Sequence, residues 1–508
     1  MILLISVSIL LWSVSSSYTI PSTEYLGLFS LYNATNGTNW LYSENGLEWD
    51  FTDGSDPCGV PNWQGLTCNC TTDVCHVTSI VLSAQNLRGS LPSDLSLLIE
   101  LSELRLDENA LLGSVPSTFG SMVLLTSLQL QYNHLVEWVP AEVFQIPVLS
   151  VLDISSNEIA DLFPSYICNS VSLTKFNIGF NRISGSLPTC IGSMTALHEF
   201  ISTQNAISGT IPDSIRFLSK LETLNLDVNM LTGSFPSALC GAPSLVNLQL
   251  AATNMSGSLP SCIGNFPSLS ALDLMLSQYS STLPSQICNL TTLKALYVSA
   301  NMLTGGLPTC MASMVSLLEV GLDNNHFDGP VPPYWPKSLI NLWLFFNDLS
   351  GSLPSSLVSC VQMKELVAEH NSLTGVIPSS FYNFSALLYM ILAYNSLSGT
   401  VPTTLTSMSS LSILYLNNNQ LIGTDVLSFV PPSVISLDLS SNLFSGEFIV
   451  HAESSLEQLY ISDNSMHGAI STSLALLVNL TEFDLSYNEF SGTVPTMLNN
   501  VRYSCSLA

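Results

Sequence analysis

From Val77 to the C-terminus, apolar residues return at fixed intervals within a block of about 24 residues. In the block from Leu221 to Pro236, LETLNLDVNMLTGSFP, the recurring apolar positions are Leu221, Leu224 and Leu226. The apolar-polar-apolar alternation of the last two predicts a short strand with one buried face, and the fixed period predicts a solenoid. The 18 blocks begin at residues 77, 101, 125, 149, 173, 197, 221, 245, 269, 293, 317, 339, 363, 387, 411, 434, 456 and 480.

Counting the first apolar residue of a block as position 0, positions 0, 3 and 5 are expected to point inward and positions 1, 2, 4, 6 and 7 outward. Stacked at about 4.8 Å, the short strands would form one long parallel sheet. Position 8 is Asn in 15 of the 18 blocks, and we predict a ladder of buried amides bonded to neighbouring turns. Gln85, Thr253 and Ser277 interrupt this ladder, while Asn86 and Asn254 follow one place later in two of these blocks.

Gly at position 12 and Pro at position 15 complete the repeat, as in Gly185 with Pro188. With the pattern L-x-x-L-x-L-x-x-N-x-L-x-G-x-[LIV]-P, the chain resembles the plant-type leucine-rich repeat family. The resemblance implies an α/β-type leucine-rich repeat solenoid, a curved right-handed superhelix of about 18 repeats over residues 77–503. It places a parallel β-sheet on the concave face and irregular, 3-10 or short helical segments on the convex side.

The ends of the chain differ from the repeats. Residues 1–17 are an apolar run followed by serines and indicate a signal peptide, with an uncleaved anchor as the alternative. Residues 18–76 resemble the cysteine-rich N-terminal cap of the family, with a short helix over Leu26 to Tyr32 and the aromatics Phe29, Trp40, Trp49 and Trp63 to cover the first repeat. Residues 504–508 resemble the start of a C-terminal cap that is cut short. We expect either a longer native chain or a partner over the last repeat.

Cysteine placement provides a test of the repeat register. In each of three pairs, one Cys at position 19 of a block is followed 22 residues later by one at position 17 of the next block. This spacing predicts the disulfides Cys168–Cys190, Cys240–Cys262 and Cys288–Cys310. Four cap cysteines can pair in three ways, of which Cys58–Cys68 with Cys70–Cys75 is favoured; metal binding by these cysteines is the competing interpretation. Cys360 and Cys505 lie about six repeats apart and are expected to be too distant to bridge each other.

Seven N-x-[ST] sequons predict N-glycosylation of a protein that enters the secretory route. Together with the signal peptide, they favour a secreted, extracellular or cell-surface location. The sequon asparagines are Asn33, Asn36, Asn69, Asn254, Asn289, Asn383 and Asn479.

The net charge and the lack of known catalytic motifs narrow the range of possible functions. Lys and Arg number 10 against 37 Asp and Glu, a net charge of -27, so nucleic acid is not an expected partner. The chain contains no H-E-x-x-H, G-x-S-x-G or G-x4-G-K-[ST] motif, and its seven histidines lack ligand spacing. We therefore expect no enzymatic activity, no cofactor and no metal site. The carboxylates of the outward face are interpreted as solvated groups rather than an acid/base pair; they are Glu103, Asp107, Glu108, Asp153, Glu222, Asp227 and Asp273.

The repeat does not specify which residue type occupies the outward positions of the strands. Position 4 is mostly polar in the first nine blocks and mostly aromatic or apolar from Tyr297 onward. Tyrosine and tryptophan supply large contact area at low entropy cost, so this change predicts a ligand-binding surface. The alternatives are aromatics that the solenoid merely tolerates, or a self-association face. The predicted ligand-binding residues, here called the aromatic surface, are Tyr297, Trp343, Phe345, Phe346, Tyr389, Tyr394, Tyr415 and Tyr460.

These observations favour a non-enzymatic recognition protein that binds an extracellular protein, peptide or glycan on its concave face. The family resemblance implies a receptor ectodomain in signalling or defence, with a co-receptor or a second copy as further partners. An inhibitor of a secreted enzyme, like the polygalacturonase inhibitors that share this repeat, is the first alternative. A structural matrix or adhesion glycoprotein is the second.

Overall fold

The computed structural model describes residues 19–43, 46–52, 55–59, 61–71, 74–450, 455–470, 472–492 and 502–504. The predicted signal peptide, residues 1–17, and Cys505 of the predicted C-terminal cap lie outside the described residues. The chain separates into two compact units, Met1–Ala206 and Ile207–Ala508, described here one at a time. Within the described ranges, no helix combines the length and the apolar character that a membrane crossing requires.

The first unit begins with the cap. The helix expected within Leu26 to Tyr32 spans Ser22–Ala34, and Leu66–Thr71 pairs with Val74–Val81 in antiparallel fashion. Trp40, Trp49 and Trp63 are at most 5% exposed, and their rings contact one another at 4.9 and 5.6 Å between centroids. The three tryptophans are therefore packed inside the cap, as the sequence predicts, whereas Phe29 is 41% exposed and contacts Phe51 at the surface.

The repeats of the first unit continue the second cap strand as a parallel sheet. Each residue pairs with the one 24 positions later, as in Ile80 with Leu104 and Leu104 with Leu128. The sheet strands after Val74–Val81 are Glu103–Arg105, Ser127–Gln129, Val151–Asp153, Lys175–Asn177 and Glu199–Ile201. A second set of short strands follows them along the chain: Arg88–Ser90, Ala110–Gly113, His134–Leu135 and Ser184–Ser186. The 3-10 helices are Gly37–Asn39, Ser93–Leu97, Ser117–Ser121, Val143–Gln145, Ser165–Asn169 and Ile191–Ser193.

The second unit repeats this arrangement. Its parallel sheet consists of Thr223–Asn225, Asn247–Gln249, Ala271–Asp273, Ala295–Tyr297, Glu319–Gly321, Asn341–Trp343, Glu365–Val367, Tyr389–Ile391, Ile413–Tyr415, Ser436–Asp438, Gln458–Tyr460, Glu482–Asp484 and Arg502–Ser504. Its second set of strands consists of Ala206–Gly209, Met230–Gly233, Asn254–Ser258, Gln278–Thr282, Met302–Gly306, His326–Pro330, Asp348–Ser352, Ser372–Gly375, Ser396–Thr400, Gln420–Gly423, Leu443–Glu447, Ser465–Ala469 and Glu489–Ser491. Its 3-10 helices are Asp213–Phe217, Ser237–Leu239, Ser261–Asn265, Ser285–Asn289, Met311–Ser313, Ser355–Ser359, Ser379–Asn383, Thr403–Ser407 and Thr472–Leu476.

The second set of strands is a feature that the sequence analysis did not predict. These strands begin at positions 9 to 11 of their blocks, just after the ladder position, and are found in every block except the one that begins at residue 149. They pair in parallel with the equivalent segment of a neighbouring block, as Ser280 does with Met302. The residue at position 7 turns the chain between the two strands. In all 18 blocks this residue has a φ between 51° and 57°, the left-handed region that non-glycine residues rarely adopt.

The predicted asparagine ladder is confirmed. Asn325 is 5% exposed, and its Nδ2 donates to the carbonyl oxygens of Val298, Leu322 and Asp323 at 3.0, 3.2 and 3.1 Å. Its Oδ1 accepts the backbone N–H of Leu303 at 3.0 Å, so one amide joins two successive repeats. At the interruption, the hydroxyl groups of Thr253 and Ser277 bond to each other at 3.1 Å.

Five disulfides are present among the residues that the structure describes, and they join the same pairs that the sequence predicts. Cα separations in the three repeat disulfides are 5.6 to 5.9 Å, within the range a disulfide spans. The pairs are Cys58–Cys68, Cys70–Cys75, Cys168–Cys190, Cys240–Cys262 and Cys288–Cys310. Cys360 is a free thiol, fully buried, with its Sγ 3.2 Å from the carbonyl oxygen of Pro336.

Candidate functional site

The aromatic surface lies on the sheet of the second unit, and its eight residues differ in exposure. Phe346 and Tyr394, both at position 7, are exposed by 47% and 44%. The other six are half-buried, because the side chains of a closely spaced parallel sheet cover one another. The structure arranges these residues in two groups with ring contacts, together with three tyrosines outside those groups.

Tyr297 and Trp343 form the first group. Their ring centroids are 6.3 Å apart with the planes inclined by 22°, although the two residues lie on strands separated by one other strand. The residue between them in the row is Gly321, which pairs with both. A Cβ at Gly321 would lie 3.2 Å from Cδ1 of Tyr297 and 2.7 Å from Oγ of Ser299, so a side chain here would crowd the ring.

Glutamates at position 2 of the next block hold these rings. The Tyr297 hydroxyl donates to Glu319, and the Trp343 indole N–H donates to Glu365 Oε2 at 2.8 Å. Burial, the hydrogen bond to Glu319 and the charges of Glu319 and Asp273 raise the pKa of the Tyr297 phenol, which stays a neutral donor. Tyr460 repeats the arrangement with Glu482, and burial raises its pKa to about 12.

The second group is a stack at position 7 that includes a residue the sequence analysis missed. His370 lies between Phe346 and Tyr394, with centroid separations of 4.2 and 4.1 Å and planes inclined by 13° and 10°. Phe345 contacts Phe346 at 6.0 Å. The signal was the recurrence of ring side chains at position 7 of three successive blocks, which become neighbours because every block turns there.

Tyr389 and Tyr415 take no part in these ring contacts. Tyr415 bonds through its hydroxyl to Ser436 Oγ at 3.0 Å, and Ser436 donates onward to Gln458 Oε1 at 2.9 Å. Tyr389 lies at position 2 and is half-buried. The predicted residues therefore share one face without forming a single continuous aromatic cluster.

The interpretation of the outward carboxylates as uniformly solvated is wrong. Asp107 and Asp153 are only 5% and 7% exposed. Ser83 donates to Asp107 at 2.6 Å, and Asp153 accepts from Ser155 and from Asn177. These carboxylates are buried because hydroxyl and amide groups of neighbouring positions satisfy them, and an ordinary structural role accounts for them.

In the second unit burial raises the pKa of three aspartates, Asp227, Asp273 and Asp438. Burial, with the charge of Asp273 adding to it, raises the pKa of Asp227 to about 7 despite the hydrogen bond from the Ala251 N–H at 2.6 Å. Burial also raises the pKa of Asp273 itself. From Glu222 to Tyr487, positions 1 to 7 carry twelve carboxylates and two lysines, Lys294 and Lys364. This face is strongly anionic.

The seven sequon asparagines are all exposed, and none of them lies on the outward face of the parallel sheet. Three are in the cap, one begins a strand of the second set at Asn254, and three follow or end 3-10 helices. Glycosylation stays a prediction, and glycans at these positions would leave the aromatic surface open. Over the part of the chain that the structure describes, no group of three or more His, Cys, Asp or Glu is placed to hold a metal ion.

Comparisons with known proteins agree with the geometry. A leucine rich repeat family model matches residues 361–421, and a second leucine rich repeat model matches residues 172–194, 220–242 and 479–501. A probable leucine-rich repeat receptor-like serine/threonine-protein kinase of Arabidopsis thaliana is 41% identical over 107 residues, which are 20% of this chain and 10% of the kinase. A second probable receptor-like kinase of that plant is 37% identical over 90 residues, 9% of its length. The chain thus matches a small part of these relatives, within their repeats.

Solved structures match over much greater length. The plant peptide hormone receptor RGFR1 in complex with RGF2 superposes with a TM-score of 0.74 and 26% identity, covering 85% of this chain and 75% of the receptor. The Arabidopsis receptor kinase HAESA, in complex with the peptide hormone IDA and the co-receptor SERK1, superposes with a TM-score of 0.69 and 27% identity, covering 96% of this chain and 89% of that one.

The repeat, the ladder and the superpositions define a leucine-rich repeat solenoid. In its repeats and its cysteine-containing N-terminal cap, the chain is similar to plant-type leucine-rich repeat proteins, receptor-like kinases among them.

Proposed function

We propose that this chain is the extracellular ligand-binding region of a receptor-like protein and that it binds a peptide across the aromatic surface. The observation that carries the proposal is the half-exposed aromatic surface on the sheet of the second unit. Hot-spot residues, the few that contribute most of the affinity of an interface, are often Tyr or Trp. A co-receptor is the proposed second partner, and glycans on the exposed sequons would leave this face accessible.

A peptide is favoured over a protein or a glycan for two reasons. RGFR1 and HAESA, which superpose on most of this chain, were solved with peptide hormones bound. Rings at positions 4 and 7 and glutamates at position 2 also recur on several strands of this sheet, so an extended peptide that crosses the strands can contact several of them at once. No further conclusion about signalling or a kinase follows, since the chain corresponds to a small part of the receptor-like kinases it matches.

The test is peptide binding by single-residue variants. Phe346→Ala and Trp343→Ala are each expected to weaken binding of peptides selected from a random display library by at least about tenfold. Phe346 is 47% exposed, so its removal should leave thermal unfolding nearly unchanged. Trp343 also contacts Tyr297, so a modest loss of stability is expected there.

Tyr132→Ala is the matched control, because Tyr132 also occupies position 7 and is 60% exposed, but lies in the first unit. It should bind the selected peptides like the unmodified protein. Equal affinity for all three variants would refute the proposal. Loss of affinity only in proportion to unfolding would refute it as well.

A further inference from the structure

The gap between Tyr297 and Trp343 has an unusual construction. Two strands that flank a third are about 9.6 Å apart, yet the ring centroids are only 6.3 Å apart, so both rings lean over Gly321. The floor of the gap is the backbone of Gly321, since any side chain there would crowd Tyr297 and Ser299. A flat group between two rings needs about 3.5 Å on each side. The rings would have to separate by less than about 1 Å to admit one.

The row of side chains beside this gap has hydrogen-bond acceptors with unused capacity. Glu319, Asn341 and Glu365 are consecutive members of the position-2 row. The Oδ1 atom of Asn341 is buried and has no hydrogen-bond partner among the described residues. No Lys or Arg nitrogen of the described chain lies within 4.0 Å of the Glu319 or Glu365 carboxylate. Each carboxylate has one ring donor, from Tyr297 or Trp343, and capacity for more.

A flat cation that only donates hydrogen bonds fits these requirements. A guanidinium group is planar, carries five N–H donors and no acceptor, and stacks on aromatic faces. A lysine ammonium supplies charge without the plane, and a proline or phenylalanine ring supplies the plane without donors. Anionic groups, such as phosphate or sulfate, are disfavoured by the twelve carboxylates and two lysines of this face.

We infer that the gap formed by Tyr297, Gly321 and Trp343 is a subsite for one arginine side chain of the bound peptide. The guanidinium lies between the two rings, with its N–H groups toward the Glu319 and Glu365 carboxylates. This inference rests on the proposed function, because it assigns one residue of a peptide that binds the aromatic surface.

The test measures, for each peptide, the ratio of the affinity of its arginine form to the affinity of its citrulline form. Peptides selected from a random library against the full chain are resynthesised with each arginine replaced by citrulline, which keeps the shape and removes the charge. One citrulline substitution is expected to weaken binding at least about tenfold. Replacement of the same arginine by lysine is expected to weaken binding less than citrulline does, because the charge is retained.

Gly321→Ala fills the floor of the gap and should bring the arginine-to-citrulline ratio close to one. Trp343→Leu removes one wall without adding volume and should do the same, which keeps the test valid if Gly321→Ala folds poorly. Gln249→Ala is the matched control, because Gln249 occupies position 4 of the second unit outside both the gap and the aromatic surface, and it should retain the ratio of the unmodified protein.

The outcomes separate the two proposals. If the selected peptides lose affinity for Phe346→Ala yet show a ratio near one on the unmodified chain, the arginine subsite is wrong and peptide binding on this face stands. An unchanged ratio in both Gly321→Ala and Trp343→Leu also overturns the subsite. If no peptide binds, or all bind Phe346→Ala and Trp343→Ala normally, the proposed function itself fails.

Discussion

Asn325→Ala is expected to destabilise the second unit by about 3 to 5 kcal/mol. The substitution removes the two amide hydrogens, which are shared among three carbonyl oxygens, and one accepted bond, and it leaves the Leu303 N–H and those carbonyl oxygens without that partner in a buried site. A net loss of about 1 kcal/mol per bond, with a further penalty for the stranded groups, gives this range. Thermal unfolding should shift downward, and hydrogen exchange at Leu303 should accelerate.

The matched control is Asn265→Ala, which makes the same chemical change at the exposed end of a 3-10 helix in the same unit. It should alter neither measurement appreciably. A second comparison is Thr253→Asn, which places an amide where the ladder is interrupted and should raise stability. If Asn325→Ala and Asn265→Ala behave alike, the ladder does not hold the repeats together.

Asp227 should make the stability of the second unit fall as pH rises from about 4 to about 7. Burial, together with the charge of Asp273, raises its pKa to about 7, whereas a carboxyl in the unfolded chain titrates near 3.9. Between these values the folded protein holds a proton that the unfolded chain has lost, so added base favours unfolding. The stabilisation from this proton is complete below about pH 4 and is lost by about pH 7. Because the side chain is partly exposed, solvent screening reduces the stabilisation to about 1 to 3 kcal/mol.

Asp227→Asn keeps an oxygen for the Ala251 N–H and removes the charge. Its unfolding midpoint is expected to vary less between pH 4 and 8 than that of the unmodified chain, and to be higher at pH 8. Asp213→Asn, at an exposed position of the same unit, is the control and should follow the unmodified profile. Parallel profiles for Asp227→Asn and the unmodified chain would rule out this assignment.

The repeat made the parallel sheet, the asparagine ladder and the cysteine pairs predictable, because equivalent positions of successive blocks become spatial neighbours. Cys168 and Cys190 are a clear example, since their separation of 22 residues translates directly into 5.9 Å between Cα atoms. The same reasoning identified the face on which Tyr297 and Trp343 lie.

Other features depend on local conformation that a period does not specify. The left-handed turn at position 7 creates the second set of strands and brings His370 between Phe346 and Tyr394. Asp153 can be buried because hydroxyl and amide groups donate hydrogen bonds to its carboxylate. An apolar-polar pattern cannot predict such hydrogen bonds. Three shortened blocks, which begin at residues 317, 411 and 434, lack a 3-10 helix among the described residues.

Photo-crosslinking tests most directly whether peptides bind on the aromatic surface of the second unit. A benzophenone amino acid is placed at residue 394, and in a separate protein at residue 132, the exposed position-7 residue of the first unit. Each protein is irradiated with the library-selected peptides, and the adducts are measured by mass spectrometry. We expect peptide adducts at residue 394 and few at residue 132. Adducts at residue 132 with none at residue 394 would contradict the assignment of the binding face.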